Sequence, residues 1–358
     1  MLGPVTALVL AAAPADFDAR VMRFVHEDKL PPGIALYVAD GKIAAVKAWG
    51  ARADDEKLTP EADALFRIGS NTKTFTALAI LALRDAGKLS LDDPLTKWIP
   101  EAKPRPAHEG DRAPNVRDLL QHRSGLPRAG SLLWRQITNK SISDEDVVSA
   151  LSVKLEDAPG AMKTYSNLGY AALGMIVARA SGMPYAEYVK QHVLAPLGIT
   201  DAVWRAEDVP PAKRIHGHES RFFGGWKVDD DEWHLGTMDA AGGLYASAND
   251  MAQLALFELG QRDGPVKPET VRESQQAADP TLGKSGGMGW DLVVAGKSHI
   301  IYKNGGMNAW NSGLVIHPEK RVALVLLLAG KSEHVDEAAL GILKDLVTSP
   351  GAPDAGAK

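Results

Sequence analysis

Phe66-Arg67-Ile68-Gly69-Ser70-Asn71-Thr72-Lys73-Thr74-Phe75 holds the only Ser-x-x-Lys of the chain, and the apolar run Ala77 to Leu83 follows it at once. A polar start leading into such a run predicts a buried helix. On a helix, positions three apart share a face, so Ser70 and Lys73 point the same way. A serine hydroxyl is a weak nucleophile and needs a base beside it. A lysine desolvated near other cations can lose its proton near neutral pH and act as that base. Ser-x-x-Lys also arises often as a capping serine with a solvated lysine, so the decision falls to the segments downstream.

Two of these carry chemistry. Pro159-Gly160-Ala161-Met162-Lys163-Thr164-Tyr165-Ser166-Asn167 reads as a loop just before a helix. A phenol is protonated at neutral pH, and nearby lysine charges would lower its pKa and make Tyr165 a usable base. Asn167 offers an amide to Lys73 or to a substrate carbonyl. Tyr302-Lys303-Asn304-Gly305-Gly306-Met307 leaves one strand and approaches the next. Small residues there let a substrate backbone lie along a strand edge, with Lys303 placed to attract a carboxylate.

Length and composition bound the rest. The 358 residues are 45% hydrophobic, enough for a large core. Lys and Arg number 40 against 45 Asp and Glu, and no basic cluster reads as a nucleic-acid surface. Cysteine is absent, which removes disulfides, thiol catalysis, cysteine-ligated metals and a lipidated cysteine. Residues 1–15 read as a signal h-region ending in Ala13-Pro14-Ala15, though without a basic n-region, and imply a periplasmic or secreted protein. No segment is apolar enough to span a bilayer. Residues 348–358, rich in Gly, Pro and Ala, are expected to be disordered.

The chain order is strands and a helix, a long helical stretch, then strands and a helix. Ile34 to Ala39 and Ile43 to Trp49 flank Asp40-Gly41, a tight-turn signal. Helices are expected at Val116 to His122, Ser141 to Leu151, Leu168 to Ala180 and Tyr185 to Leu194. Another is expected after the capping pattern Ser247-Ala248-Asn249-Asp250, and a last one from Val335 to Leu346. Strands return at Gly289 to Val294, His299 to Tyr302, Ser312 to His317 and Arg321 to Leu328. Short connections between them imply an antiparallel sheet. The expected fold is therefore α+β: residues 16–90 and 285–347 build an antiparallel sheet flanked by helices, and residues 91–284 form a mostly helical inserted lobe. Ser70 falls at the seam between the two.

Ser-x-x-Lys on a helix, Tyr-x-Asn before a helix and Lys-x-Gly on a late strand, in this order, resemble the class C β-lactamase and D-alanyl-D-alanine carboxypeptidase family of penicillin-recognising serine hydrolases. That family also includes esterases. Leu91-Asp92-Asp93-Pro94, Leu119 to Pro127, Tyr165 to Gly174 and Gly242 to Met251 share the likeness, which runs from about Gly33 to Gly330. The resemblance implies a β-lactamase/transpeptidase-like fold and an acyl-enzyme on Ser70. It gives proton transfer to Lys73 and Tyr165, positioning to Asn167, and the lysine and glycine of a Lys-Thr-Gly motif to Lys303 and Gly305. The oxyanion falls to the backbone N–H groups of Ser70 and Gly306. It implies no cofactor, and a small-molecule or peptidoglycan-derived substrate, either a D-Ala-D-Ala peptide or a β-lactam. The alternatives are a carboxylesterase or a non-catalytic penicillin-binding-like protein. Asn304 departs from the usual threonine or serine, whereas Lys303 is kept where many relatives have histidine. A retained cation favours substrates ending in a carboxylate.

Two competing patterns carry less. Gly283-Lys284-Ser285-Gly286-Gly287 fits Gly-x-Ser-x-Gly, but that elbow needs a strand before it and a helix after it, and here a strand follows. His216, His218, Glu219, Asp229 to Asp231 and His234 lack metalloprotease spacing, and read as a polar loop at the cleft mouth with no metal assigned. Trp290 and Trp310 read as core or cleft lining.

Overall fold

In the computed structural model, the described residues are 14–51, 59–132, 141–220, 226–229, 234–279, 284–295 and 298–348. Residues 1–13 of the signal-like stretch and 349–358 of the C-terminal tail lie outside them. Helix α1 (Phe17–Glu27) comes first, then strands β1 (Gly33–Ala39) and β2 (Lys42–Trp49), and helix α2 (Thr72–Asp85). Helices α3 (Val116–Leu120), α4 (Asp144–Leu151), α5 (Asn167–Ser181) and α6 (Ala248–Glu258) belong to the middle of the chain. Strands β3 (Lys284–Gly286), β4 (Asp291–Ala295), β5 (Ser298–Met307), β6 (Trp310–His317) and β7 (Val322–Leu328) precede helix α7 (Val335–Thr348).

Among the described residues these strands form one seven-stranded sheet in the order β2-β1-β7-β6-β5-β4-β3. Every neighbouring pair is antiparallel. The first and last parts of the chain meet at β1 and β7, where Gly33 pairs with Leu328 and Ala39 with Val322. The β1–β2 turn uses Asp40 at φ 51° and Gly41 at φ 75°, the left-handed pair that a two-residue hairpin turn requires.

The two faces of the sheet feed two cores, and the period of two in the sequence sorts them. Ile34, Leu36 and Val38 of β1, with Ala323, Val325 and Leu327 of β7, join a core shared with α2, α5 and α6. Ala35, Tyr37 and Ala39, with Leu324, Leu326 and Leu328, face the other way, onto α1 and α7. Both strands are buried along their whole length. Burying a Leu or Ile side chain contributes about 1.5–3 kcal/mol, so these central strands anchor the molecule. Helix α1 was not among the expected elements; its signal is the spacing Phe17, Val21, Val25, four residues apart, all buried.

The first of these cores is continuous from the sheet face through α2 into Leu119, Leu151, Leu173 and Val177 of the middle segment. Helix boundaries follow their caps. Ser143 and Ser247 each close a capping box with an aspartate three residues on. Gly182 ends α5 at φ 75°. The stretch expected as one helix from Tyr185 to Leu194 begins as α-helix, widens to a π-helical turn at Lys190–Leu194 and tightens to 3₁₀ at Ala195–Leu197, with Pro196 inside that turn. No helix among the described residues is long and apolar enough to cross a membrane.

Candidate active site

Ser70 lies in a 3₁₀ turn, Gly69–Asn71, that leads directly into α2. The turn is fixed from three sides. Ser312 Oγ donates to the Ile68 carbonyl and accepts from Asn71 Nδ2, both at 2.7 Å. Thr74 Oγ1 donates to Asn71 O at 2.8 Å. Behind it, the Leu244 amide donates to Thr72 Oγ1 at 3.2 Å. Ser70 itself is half-buried, at the positive end of α2.

The two basic candidates converge on its hydroxyl. Ser70 Oγ is 2.7 Å from the Tyr165 phenol oxygen, and Lys73 Nζ donates to Ser70 Oγ at 3.1 Å. Lys73 is fully buried. It also donates to Asn167 Oδ1 at 2.9 Å and to the Ala241 carbonyl at 2.5 Å. Burial, helped by the positive charges of Lys303 and Arg128, brings the Lys73 ammonium down to about 8. Burial would raise the Tyr165 phenol, but the charges of Lys73 and Lys303 outweigh it and bring the phenol down to about 8 as well. The Lys73 and Lys303 ammoniums and the Arg128 guanidinium lie 5.0, 5.2 and 5.0 Å from the Tyr165 ring centre.

Tyr165 is held by the segment Leu119 to Pro127 and its neighbour Arg128. Thr164 N donates to His122 O at 2.8 Å, and Ser166 N to His122 Nδ1 at 3.1 Å. Ser166 Oγ donates to Pro127 O at 2.8 Å and caps α5 by accepting from Gly169 N. Asn167 N donates to Arg128 O at 2.7 Å. The His122 ring lies 4.5 Å from that of Tyr165. Burial first, then the Lys303 and Lys73 charges, pushes the His122 imidazole well below its usual range, so it sits neutral beneath the tyrosine.

Lys303 and Gly305 lie inside β5, not in the connection after a strand, because β5 runs on to Met307. Lys303 is 1% exposed, and its Nζ donates to Asp291 Oδ2 at 2.9 Å. The other carboxylate oxygen of Asp291 accepts from Lys163 Nζ at 2.5 Å. Partial burial would raise the Asp291 carboxyl, but the charges of Lys303 and Lys163 outweigh it and hold it well below the usual carboxylate range. The charge of Asp291 likewise outweighs burial at Lys303 and keeps that ammonium above its ordinary value. Asn304 points to the opposite face of the strand, where its Nδ2 donates to both carboxylate oxygens of Asp336 at 3.0 Å. Its departure from threonine or serine is thus a matter of anchoring α7.

Gly69, Ser70, Asn167, Ala241, Gly242 and Gly306 line a cavity of about 750 Å³, with Met238, Met307, Asn308, Asn311, Glu219 and Lys331 among the rest of its wall. Of the seven sequence-derived site residues, Ser70, Asn167 and Gly306 line this cavity. Lys73 and Tyr165 reach Ser70 Oγ, the Lys303 ammonium lies 5.2 Å from the Tyr165 ring centre, and Gly305 packs against the Ser70 turn. Asp291, Lys163, Arg128 and His122 were missed as parts of the site. Lys163 had a signal, being two residues before Tyr165; Asp291 had none, since only the sheet register brings β4 against Lys303. His218 is buried with Nδ1 at 3.0 Å from the Ala329 carbonyl. Among the described residues no group of three or more His, Asp and Glu could hold a metal. Asp230 and Asp231 lie outside the described residues. Ser285 lies in edge strand β3, followed after a short turn by β4 rather than by a helix.

Solved structures share this fold. The octameric penicillin-binding protein homologue from Pyrococcus abyssi superposes with a TM-score of 0.82 at 24% identity, covering 94% of this chain and 78% of that one. A class C beta lactamase from Rhodobacter sphaeroides gives 0.75 at 21%, covering 93% and 99%, and the hydrolase EstCE1 gives 0.80 at 18%, covering 93% and 99%. Residues 17–348 match the family model Beta-lactamase, and the chain belongs to that family. Protein flp of Staphylococcus aureus strain MW2 is 26% identical over 324 residues, 89% of this chain and 63% of its own length. Beta-lactamase-like protein 2 of Dictyostelium discoideum is 31% identical over 270 residues, 74% of this chain and 49% of its own. The chain thus spans about half to two thirds of these curated relatives.

Proposed function

We propose that this protein is a serine acyl hydrolase working through an acyl-enzyme on Ser70, with D-Ala-D-Ala peptides or β-lactams as acyl donors. The observation that carries it is the placement of one hydroxyl, Ser70 Oγ, against both the Tyr165 phenol and the Lys73 ammonium. The Tyr165 and Lys73 pair gives up one proton near pH 8, which leaves one base between the two groups. The pair accepts the Ser70 proton as Oγ attacks the carbonyl carbon. The carbonyl oxygen becomes an oxyanion, received by the backbone N–H groups of Ser70 and Gly306. Such donors are worth about 3–4 kcal/mol each where charge develops. The proton passes to the leaving group as its bond to carbon breaks. A water molecule, deprotonated by the same pair, then attacks the acyl carbon and frees Ser70. Asn167 holds Lys73 in place through its Oδ1.

Intact-mass measurement after exposure to a penicillin or a fluorophosphonate tests the reading. A single adduct is expected on the parent protein and none on Ser70→Ala. An undiminished adduct on the variant would overturn the assignment. Turnover of nitrocefin, a D-Ala-D-Ala peptide and p-nitrophenyl butyrate by the same preparation then ranks the donors, because the deacylation rate separates hydrolase from slow penicillin binder.

A further inference from the structure

A substrate ending in a carboxylate needs a cation to meet it, and Lys303, the sequence-derived candidate, is already committed. Its ammonium is almost wholly buried and hydrogen-bonded to Asp291. It is absent from the wall of the cavity that opens on Ser70. Another lysine is on that wall. Lys331, just after β7, is exposed and lines the same cavity as Ser70 and Gly306. It forms no ion pair with any described residue. Glu219 lines the cavity too, but is not a free charge.

The backbone on both sides of Lys331 is anchored. Before it, Ala329 N donates to Pro32 O at 2.7 Å, and the Ala329 carbonyl meets His218 Nδ1 at 3.0 Å. Gly330 is wedged so closely that a Cβ there would lie 2.4 Å from Pro31 Cβ. After it, Ser332 N donates to Asn311 Oδ1 at 2.6 Å. The Nδ2 of the same Asn311 donates to the Gly305 carbonyl at 3.3 Å. One side chain therefore ties the Lys331 turn to the strand that carries Gly305 and Gly306. A turn held this way roots the lysine at the cleft wall, and its flexible stem lets the ammonium reach a carboxylate as a point charge.

We propose that Lys331 is the residue that reads a carboxylate on the substrate. This rests on the acyl-hydrolase reading of the site. Three p-nitrophenyl or aryl esters test it: p-nitrophenyl butyrate, which is neutral; mono-p-nitrophenyl succinate, with a carboxylate on the acyl side; and 4-butyryloxybenzoate, with one on the leaving group. The readout is the ratio of kcat/KM for each anionic ester over the neutral one. Lys331→Ala is expected to lower that ratio about tenfold for at least one anionic ester, the size of one charge-assisted contact. Lys331→Glu should lower it further, and Lys331→Arg should keep it near the parent value. Ratios unchanged in Lys331→Ala for both anionic esters overturn the assignment of Lys331 while leaving the hydrolase reading standing. Failure of the parent protein to turn over any of these esters, nitrocefin or a D-Ala-D-Ala peptide overturns both.

Discussion

A methyl group placed on Gly305 would sit 1.9 Å from the Ile68 carbonyl oxygen and 2.9 Å from the Ser70 amide nitrogen. Strand β5 thus lies flush against the turn that carries Ser70, with no room for a Cβ. The Lys-x-Gly pattern has a steric cause here, independent of any substrate. Gly305→Ala must push the Ser70 turn away from β5, at a cost of about 1–3 kcal/mol for overpacking. Labelling of Ser70 by a fluorophosphonate should fall by more than tenfold while the protein stays folded by circular dichroism. Labelling at the parent rate would show that the turn and the strand are not rigidly coupled.

Lys73 and Tyr165 both titrate near 8, for opposite reasons. Burial and like charge strip the lysine of its proton early, and neighbouring ammonium groups stabilise the phenolate. Each change of state produces a species that can accept the Ser70 proton. The acylation rate should therefore rise with pH and level off above an apparent value of about 8, a property of the pair and not of either residue. Tyr165→Phe should lower the plateau by about 10²–10⁴, the range of a general base. Rates of p-nitrophenyl butyrate turnover from about pH 6 to about pH 10 decide the matter. A flat profile would mean that neither group changes state in the working range.

Asn304 stands between two site residues yet faces away from them. Its amide donates to both oxygens of Asp336 on α7. Asn304→Ala should cost about 1–2 kcal/mol of stability, from a part-exposed hydrogen bond to a charged group, with kcat/KM within about twofold of the parent. Urea unfolding and p-nitrophenyl butyrate turnover on one preparation measure the two together. A large loss of turnover with unchanged stability would place Asn304 in the cleft after all.

The local motifs were readable because each has a short-range cause. Asp40-Gly41 fits a tight turn, Ser247 with Asp250 makes a capping box, and the alternation in β1 and β7 sorts side chains to two cores. Ser70 and Lys73 were readable as a pair for the same reason, being one turn apart. The convergence of Tyr165 on Ser70 was not deducible from spacing, since 95 residues separate them; the family resemblance supplied it. Asp291 escaped notice because its contact with Lys303 depends on the sheet register that pairs it with Tyr302. Without that register, Lys303 reads as a free cation. With it, Lys303 is half of an ion pair, and the search for an anion-reading charge moves to Lys331, which no motif marks.

Asp291 bridges Lys163 and Lys303. Removing it by Asp291→Asn leaves the buried Lys303 ammonium without its counter-charge. The loss should be about 2–4 kcal/mol at neutral pH, between the values for exposed and fully buried pairs. Its pH dependence has a fixed sign. The carboxyl titrates lower in the folded protein than its ordinary value of 3.8, so its stabilisation is fully present above that value and is lost as pH falls below it. The gap in stability between the parent and Asp291→Asn should hence be constant from neutrality to about pH 5 and should narrow below about pH 4. Urea denaturation of both proteins at several pH values measures that gap. If it stays the same into strong acid, the Asp291 charge is not what holds Lys303, and the case for moving the anion-reading role away from Lys303 loses its footing.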